Sequence, residues 1–192
     1  MLDPLPILFF SSPSEWWDWL HENHAGENGL WLKLAKKNSG LVSVSYMDAV
    51  ETALCWGWID GQKKAFDDQC WIQRFTPRKP RSIWSQINKE KALRLIAENA
   101  MQPAGMKAIE AAKKSGMWDN AYAPASTITI PKDLARAFKK NPAAHAHFKT
   151  LNSQNRFAIL HRIQKVKKEE TRAKKITEFI ELLEQGGFIY PK

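Results

Sequence analysis

The stretch CWGWIDGQ, residues 55–62, constrains the fold more than any other part of this sequence. Two tryptophans flank a glycine inside an apolar run, where glycine usually marks a turn or a close approach of two backbones. We therefore predict that a helix ends near Cys55 and that a strand begins near Trp58. Gly57 would let the chain turn or pack closely between the two indoles.

Strong local signals lie upstream of this junction. Ser12-Pro13-Ser14-Glu15 combines a capping serine, a proline suited to the first helical turn and a capping-box glutamate, so it predicts a helix start. Leu30–Leu34 alternates leucines with a tryptophan and a lysine, which is typical of a strand. Ser45–Asp48 repeats the capping-box pattern and predicts the helix that leads into residues 55–62.

Two strands are predicted downstream, over residues 58–66 and 70–75, with a turn at Asp67-Asp68. This turn places Asp60 inside a strand and opposite Phe75. The prolines in residues 76–81 exclude regular structure, and Ser82 is predicted to cap a helix that runs to about residue 98.

The remaining sequence is mostly helical in pattern. Pro103 begins a helix that Gly116 ends, and helical periodicity dominates from Pro131 onward. We predict an α+β fold, in which a small antiparallel β-sheet packed by helices is followed by an all-helical C-terminal part. The expected domains are an α+β module with an aromatic-rich sheet, residues 1–125, and a basic helical subdomain, residues 126–192.

Cysteine and histidine usage favours neither a disulfide nor a metal site. Cys55 and Cys70 lie in apolar surroundings, so we expect two reduced core thiols. The histidines are not spaced with cysteines or carboxylates as metal ligands would be, and we expect no cofactor. The N-terminus lacks a basic region and no apolar run could span a bilayer, so we expect a soluble cytoplasmic protein.

The net charge of +9 is unevenly distributed. Lysines and arginines balance acidic residues at twelve each in residues 1–100, whereas residues 101–192 hold seventeen against eight. Residues 61–94 are also basic, with nine cations against three anions. Excess positive charge favours nucleic acids or other anionic partners, or else forms a solvated surface.

The segment from Arg74 to Ser85 is the candidate binding site. Four cations precede a predicted helix N-terminus, where unpaired N–H groups and the helix dipole favour an anion. The predicted ligand-binding residues are Trp58, Asp60, Arg74, Arg78, Arg81, Ser82, Trp84 and Ser85. In the structural alternative, Ser82 only caps the helix while the arginines pair with aspartates or stack on tryptophans.

Asp60 needs a partner because it shares a strand face with Trp58. Arg74 or Arg78 is the natural partner, which would give a buried ion pair. A catalytic role would need a second acid or base, and Glu51 is the nearest choice. Because the sequence has no nucleotide-binding, zinc-protease or serine-hydrolase motif, it favours a binding protein and leaves an uncharacterised enzyme as an alternative.

The last two predicted helices are rich in cations that could contact phosphate backbones. Glutamates interrupt this series and no aromatic residues alternate with it, so we favour a solvated face and read His161 as solvated too. The cations are Arg156, Arg162, Lys165, Lys167, Lys168, Arg172, Lys174 and Lys175.

Residues 53–61, 73–78 and 82–88 together resemble the YdeI/OmpD-associated family, also called bacteriocin-protection proteins. The similarity extends from about Phe9 to Gly186. It includes Trp31-Leu32, Pro103-Ala104-Gly105, Trp118-Asp119, Asn155-Arg156, Lys165 and Glu170-Thr171-Arg172. The resemblance implies a small bacterial cytoplasmic α+β protein connected with stress tolerance and resistance to bacteriocins or cationic peptides. It brings no reaction, cofactor or catalytic residue.

We therefore expect a non-enzymatic protein of the stress or bacteriocin-protection type that binds an anionic small molecule or protein partner at a site lined by tryptophan and arginine. Two alternatives remain open. One is nucleic-acid binding through the basic C-terminal helices, and the other is an enzyme that uses Asp60.

Overall fold

The structure, a computed structural model, describes residues 5–191. Residues 1–4, part of the N-terminal segment judged above not to be a signal, lie outside the described residues. The strands are β1 (Ile7–Phe9), β2 (Leu30–Ala35), β3 (Trp58–Ala65) and β4 (Cys70–Pro77). The helices are α1 (Pro13–Asn23), α2 (Tyr46–Cys55), α3 (Gln86–Ala97), α4 (Pro103–Lys114), α5 (Lys132–Lys140), α6 (Pro142–Thr150), α7 (Ser153–Gln164) and α8 (Glu169–Glu184).

The chain divides into two compact units, with the division between Ala121 and Tyr122. The first unit contains all four strands together with α1–α4, and the second contains α5–α8. The predicted α+β fold is therefore confirmed. None of the helices in residues 5–191 is both long enough and apolar enough to cross a membrane.

The sheet has the strand order β1-β2-β4-β3. β4 pairs antiparallel with β3, as the sequence predicts, and also antiparallel with β2. The sheet is nevertheless mixed and not purely antiparallel as predicted, because β1 pairs parallel with β2. The turn falls at Asp67-Asp68, where Asp67 Oδ1 accepts hydrogen bonds from the backbone N–H groups of Gln69 and Cys70. The predicted pairing of Asp60 with Phe75 is confirmed.

A β-bulge interrupts β3 between Asp60 and Lys63. Three steps along β3 correspond there to two steps along β4, from Phe75 to Gln73, so one extra residue is accommodated in β3. Gln73 closes the bulge, because its side-chain Nε2 donates to the carbonyl of Gly61 at 2.8 Å. The bulge shifts the alternation of side chains along the second half of β3.

The core of the first unit lies between one face of the sheet and the four helices. Trp16 and Trp58 are almost completely buried there and meet edge to face at 6.4 Å between ring centroids. Both indoles satisfy their N–H groups within the core, since Trp16 Nε1 donates to Ala49 O at 3.1 Å and Trp58 Nε1 donates to His24 O at 3.2 Å. Buried indoles of this kind fix the packing geometry because their polar atom needs one specific partner.

Two glycines bring α2 and α4 into backbone contact. Gly57 has a φ of +73°, and a Cβ atom there would lie 2.7 Å from the carbonyl oxygen of Ala104. A Cβ on Gly105 would lie 2.4 Å from the carbonyl oxygen of Cys55. The predicted turn at Gly57 is confirmed, but the close approach is to the backbone of α4 and not between the two indoles.

The cysteines are free and buried, as predicted. Burial raises the pKa of the Cys55 thiol to about 11, because the thiolate would lose its hydration. This thiol is therefore protonated and unreactive at neutral pH.

The start of α3 differs from the prediction. The N-cap is Ser85, whose hydroxyl accepts from the backbone N–H of Asn88 at 3.1 Å, so the helix begins at Gln86. Ser82 instead lies in a turn, where its hydroxyl accepts from Lys79 N at 2.9 Å. Both serines suit an N-cap, and the sequence pattern alone selected the wrong one.

The second unit has its own apolar core, formed by one face from each of α5–α8. Arg172 of α8 organises this unit: its Nε and Nη2 donate to the two carboxylate oxygens of Asp133, and its Nη1 donates to the carbonyl of Ile163 at 2.6 Å. This arginine was expected on a solvated basic face. It instead links the start of α5 to the end of α7.

Asn155 performs a similar role for the segment after α8. It is almost completely buried, and its Oδ1 accepts from the backbone N–H groups of Ile189 and Tyr190, both at 2.9 Å. Its Nδ2 donates to Tyr190 O at 3.1 Å. One asparagine thus satisfies three backbone groups of the C-terminal segment.

His161 is not solvated, contrary to the prediction. Its ring stacks on Phe157 at 5.2 Å and meets Tyr122 at 4.4 Å. Burial, followed by the nearby charges of Lys165 and Arg162, lowers the pKa of His161 below its usual value. The histidine is therefore neutral at pH 7.

Replacing Gly57 by alanine should destabilise the first unit more than replacing Gly40. Both glycines have a positive φ, but a Cβ on Gly40 meets nothing within 4 Å. Gly40→Ala should cost about 1 kcal/mol for the left-handed conformation alone. Gly57→Ala should cost about 3 kcal/mol, because overpacking against Ala104 adds to that conformational cost. Urea unfolding measures both, and equal losses would contradict the proposed backbone contact.

Removing the Arg172 side chain should destabilise the second unit by about 2 kcal/mol, because it leaves the partly buried Asp133 carboxylate without its charged hydrogen-bond donor. Lys174→Ala is the matched control on the same helix. Its ion pair with Glu170 is mostly exposed, so the loss should stay under about 0.5 kcal/mol. Thermal unfolding of both variants tests the difference.

The Asp133–Arg172 pair should also make stability depend on acid pH. Hydrogen bonds from Arg172 lower the pKa of Asp133 below the usual value of about 3.9. The stabilisation is therefore present at pH values above about 3.9 and is lost as pH falls through the lowered pKa. The stability difference between the native chain and Asp133→Asn should accordingly shrink below that pH. A difference that stays constant from pH 7 to pH 2 would contradict the assignment.

Candidate functional site

The eight predicted site residues fall into two groups in the structure. Four have side chains used for packing, for capping or for closing a turn, and the other four are partly or largely exposed. The first group is Trp58, Ser82, Trp84 and Ser85, and the second is Asp60, Arg74, Arg78 and Arg81.

Asp60 has a different partner from the one predicted. The hydroxyl of Tyr46, at the start of α2, donates to Asp60 Oδ2 at 2.8 Å. Arg74 cannot meet Asp60, because Asp60 is registered with the core-facing Phe75, whereas Arg74 is exposed on the opposite face and is registered with Trp31. The ion pairs found within residues 5–191 include neither Asp60 nor Arg74.

Arg78 lies at the start of the loop between β4 and α3. Its guanidinium stacks on Trp84, with Cζ 3.8 Å from the ring centroid, and its Nη1 donates to the carbonyl of Ile83 at 3.3 Å. Its backbone N–H donates to the carbonyl of Gly57 at 2.9 Å. The predicted stacking of an arginine on a tryptophan is present, and it fixes the loop against the core.

Trp84 makes a second aromatic contact, with Trp118. It meets Trp118 edge to face at 4.9 Å between centroids, and both rings are buried. Lys89 of α3 and Lys113 of α4 approach the Trp118 ring, with Nζ at 5.2 Å and 5.8 Å from the centroid. Cations within about 6 Å of an indole face are attracted by its quadrupole.

The loop is fixed to the end of α4 by Ser115, whose hydroxyl donates to the carbonyl of Pro80 at 2.7 Å. This contact brings the exposed loop residues Lys79 and Arg81 to the same region as the last turn of α4. We call the resulting group the basic loop cluster. It consists of Arg78, Lys79, Arg81, Lys89 and Lys113.

The cluster has an unbalanced charge. Within the described residues, Lys79, Arg81 and Lys113 form no ion pair. Lys89 donates to the backbone carbonyl of Trp118 at 3.3 Å, which satisfies one donor without neutralising the charge. A local positive potential of this kind attracts anions.

The sequence reasoning missed the part of the cluster supplied by α4. Lys113 lies in the last turn of an ordinary amphipathic helix, and nothing local marks it as a neighbour of the loop. The capping serine of α3 was also misplaced, so the loop ends three residues later than predicted. It also begins two residues later, because β4 includes Thr76 and Pro77, which were predicted to lie outside regular structure. In the described chain no group of three or more His, Cys, Asp or Glu side chains could hold a metal ion.

Two family models match separate parts of the chain. Residues 8–108, just over half of the sequence, match the model described as Domain of unknown function (DUF8412). The chain belongs to this family. Residues 127–186 match the model described as Bacteriocin-protection, YdeI or OmpD-Associated. No curated protein and no solved structure matches the chain.

These matches confirm the YdeI/OmpD-associated resemblance for residues 127–186. The DUF8412 part contains residues 53–88, which carried most of the resemblance in the sequence, together with the whole sheet. Helices α5–α8 begin and end within the other match. The basic loop cluster thus belongs mainly to the DUF8412 part, with Lys113 just beyond its last matched residue.

Ser85→Ala should lower the stability of the first unit by about 1 kcal/mol, because the N-cap bond to Asn88 is lost. Ser82→Ala should cost less, since its bond to Lys79 N is exposed and closes only a turn. Chemical unfolding of the two variants compares them directly. A larger loss of stability for Ser82→Ala than for Ser85→Ala would indicate that Ser82 caps the helix.

Proposed function

We propose that this chain is a non-enzymatic, cytoplasmic protein of the bacteriocin-protection type that binds an anionic small molecule or partner at the basic loop cluster. The observation that carries the proposal is that Lys79, Arg81 and Lys113 form no ion pair within the described residues, on a loop and a helix end that Ser115 joins. The loop backbone is held by Ser115 and by Arg78, so the backbone positions that carry its cations are fixed before a ligand arrives. Pre-positioned cations lose less conformational entropy on binding.

The arrangement suits a phosphate or carboxylate group. Arg81 supplies a planar donor fork that can bind such an anion through two hydrogen bonds, and Lys79 and Lys113 supply point charges. The buried tryptophans provide a rigid apolar support, and they also report on binding through their fluorescence.

The enzyme alternative receives less support from the geometry. Asp60 has the Tyr46 hydroxyl as its hydrogen-bond partner. Glu51, the second carboxylate considered, accepts from Lys91 and Arg94 and is held in ion pairs with both. An Asp60–Glu51 acid–base pair has no support from these contacts.

Nucleic-acid binding through the C-terminal helices is also less supported. Arg172 is bonded to Asp133 and to backbone carbonyls. Lys174 and Lys175 form ion pairs within α8, with Glu170 and Glu178 respectively. These contacts reduce the free positive charge on which that alternative depends.

Titration with pyrophosphate, adenosine diphosphate and a hexaglutamate peptide, followed by tryptophan fluorescence, tests the proposal. At least one probe should give a saturable change in the native chain. The double variant Arg81→Gln/Lys113→Gln should weaken that binding about tenfold, a loss of about 1.4 kcal/mol.

Lys37→Gln is the matched control, because Lys37 is an exposed cation beyond the far end of β2. It should leave the affinity unchanged. Flat titrations with all three probes, or equal affinities in the native chain and the double variant, would refute the proposal. Circular dichroism confirms that each variant is folded.

A further inference from the structure

The second face of the sheet is a separate surface that the helices leave uncovered. The register places side chains from all four strands on it, and we call these the open sheet face: Ile7, Phe9, Trp31, Lys33, Ile59, Lys64, Ile72, Arg74 and Thr76. The buried core cluster of the first unit and the residues packed against it include none of them. Phe66, directly after β3, extends this face.

Apolar rings on this face remain accessible to solvent. Phe9 is 43% exposed and Phe66 is 45% exposed, while Trp31 is partly exposed on β2, the strand next to β1. Exposed aromatic groups that share one flat sheet surface are uncommon on a protein without a partner for them.

Cations are interleaved with these rings. Lys64 Nζ lies 4.5 Å from the Trp31 centroid, and Lys33 Nζ lies 4.7 Å from the Phe66 centroid. Arg74 is exposed beside Trp31 in the pairing of β2 with β4. The β-bulge is what sends Lys64 to this face, because it reverses the alternation along β3.

The charge of the face is positive. Its strand positions hold three cations and no carboxylate. One anion lies at its end, in the β3–β4 turn, where Asp67 Oδ2 is 3.2 Å from Lys33 Nζ. Lys64 and Arg74 have no ion-pair partner in residues 5–191.

We propose that the open sheet face binds single-stranded nucleic acid. Unpaired bases present π-faces that stack on exposed aromatic rings, and their phosphates require cations at neighbouring positions, which is the combination found here. An acidic peptide would use Lys64 and Arg74 but would leave the rings unused. A duplex would present phosphates with its bases already stacked, and so could not use the rings either.

Binding exchanges one set of contacts for another. A base stacks on Trp31 or Phe66 in place of the lysine ammonium, and that lysine turns to a phosphate within reach of its flexible stem. Stacking of a base on a ring is stronger than an exposed cation–π contact, so the exchange favours the complex. This surface is distinct from the basic loop cluster, so each proposal can be refuted without affecting the other.

The test measures fluorescence anisotropy of labelled ten-nucleotide dT and U oligomers with the full chain at low salt. Phe9→Ala/Phe66→Ala should weaken binding about tenfold through lost stacking while leaving the salt dependence unchanged. Lys64→Gln/Arg74→Gln should weaken binding and also reduce the slope of log K against log salt by about 1.4, since each phosphate contact contributes about 0.7.

Lys107→Gln, an exposed cation on α4, is the matched control and should change neither quantity. Arg81→Gln should also bind the oligomers normally, which separates this face from the basic loop cluster. Absence of binding at low salt, equal binding of a ten-base-pair duplex, or unchanged affinity in the aromatic variant would overturn the proposal. Tighter binding of polyglutamate or of anionic lipid vesicles than of the oligomers would overturn it too.

Discussion

The backbone contact between the end of α2 and the start of α4 is the constraint on which the first unit depends. It needs the absence of two Cβ atoms, at Gly57 and Gly105, because either would press on a carbonyl of the other helix. The left-handed turn at Gly57 then sends Trp58 straight into the core. The carbonyl of Gly57 accepts a hydrogen bond from the backbone N–H of Arg78, so the turn also holds the first residue of the loop between β4 and α3.

Helix packing, the aromatic core and the loop position are therefore consequences of one local geometry. The core indoles contribute a second requirement, because their N–H groups need backbone acceptors. Trp16 obtains one from α2 and Trp58 obtains one from the end of α1. These bonds make the positions of the two helices mutually dependent. The neighbouring Trp56 differs, because its buried Nε1 has no hydrogen-bond partner among the described residues.

The two faces of the sheet use aromatic residues in different ways. On the core face, rings meet rings and backbone carbonyls. On the open face, rings meet lysine side chains, and the buried Ile72 lies in register between Lys33 and Lys64. The long stems of these lysines cover apolar surface while their charges stay in water. The face is consequently well hydrated, although it still exposes aromatic rings.

Local signals in the sequence predict much of this fold. Capping serines and prolines mark α1 and α2 correctly, and the Asp67-Asp68 turn fixes the register that places Asp60 opposite Phe75. The prediction failed where two local solutions were equally good, as for Ser82 and Ser85. It also missed β1, since three residues carry too little pattern to distinguish a strand from a loop.

The sites were harder to predict because they depend on contacts between distant segments. Nothing near Arg172 in the sequence indicates that Asp133 will receive its guanidinium. Tyr46 and Asp60 are fourteen residues apart, and their bond requires both α2 and the bulged strand. The bulge decides whether Lys64 faces the core or the open side. In the sequence, the only sign of the bulge is a glycine inside a strand.

The bulge has a consequence for how the length of this hairpin can change. Lys64 reaches the open face because β3 contains one residue more than the matching part of β4. Loss of Gln62 would remove the extra residue and give a regular ladder in which every side chain after it keeps its face. Loss of a residue between Lys63 and Ala65, with the bulge retained, would move every later side chain of the strand to the opposite face. Among chains of this kind, natural deletions in the hairpin should therefore collect at residues 61–62.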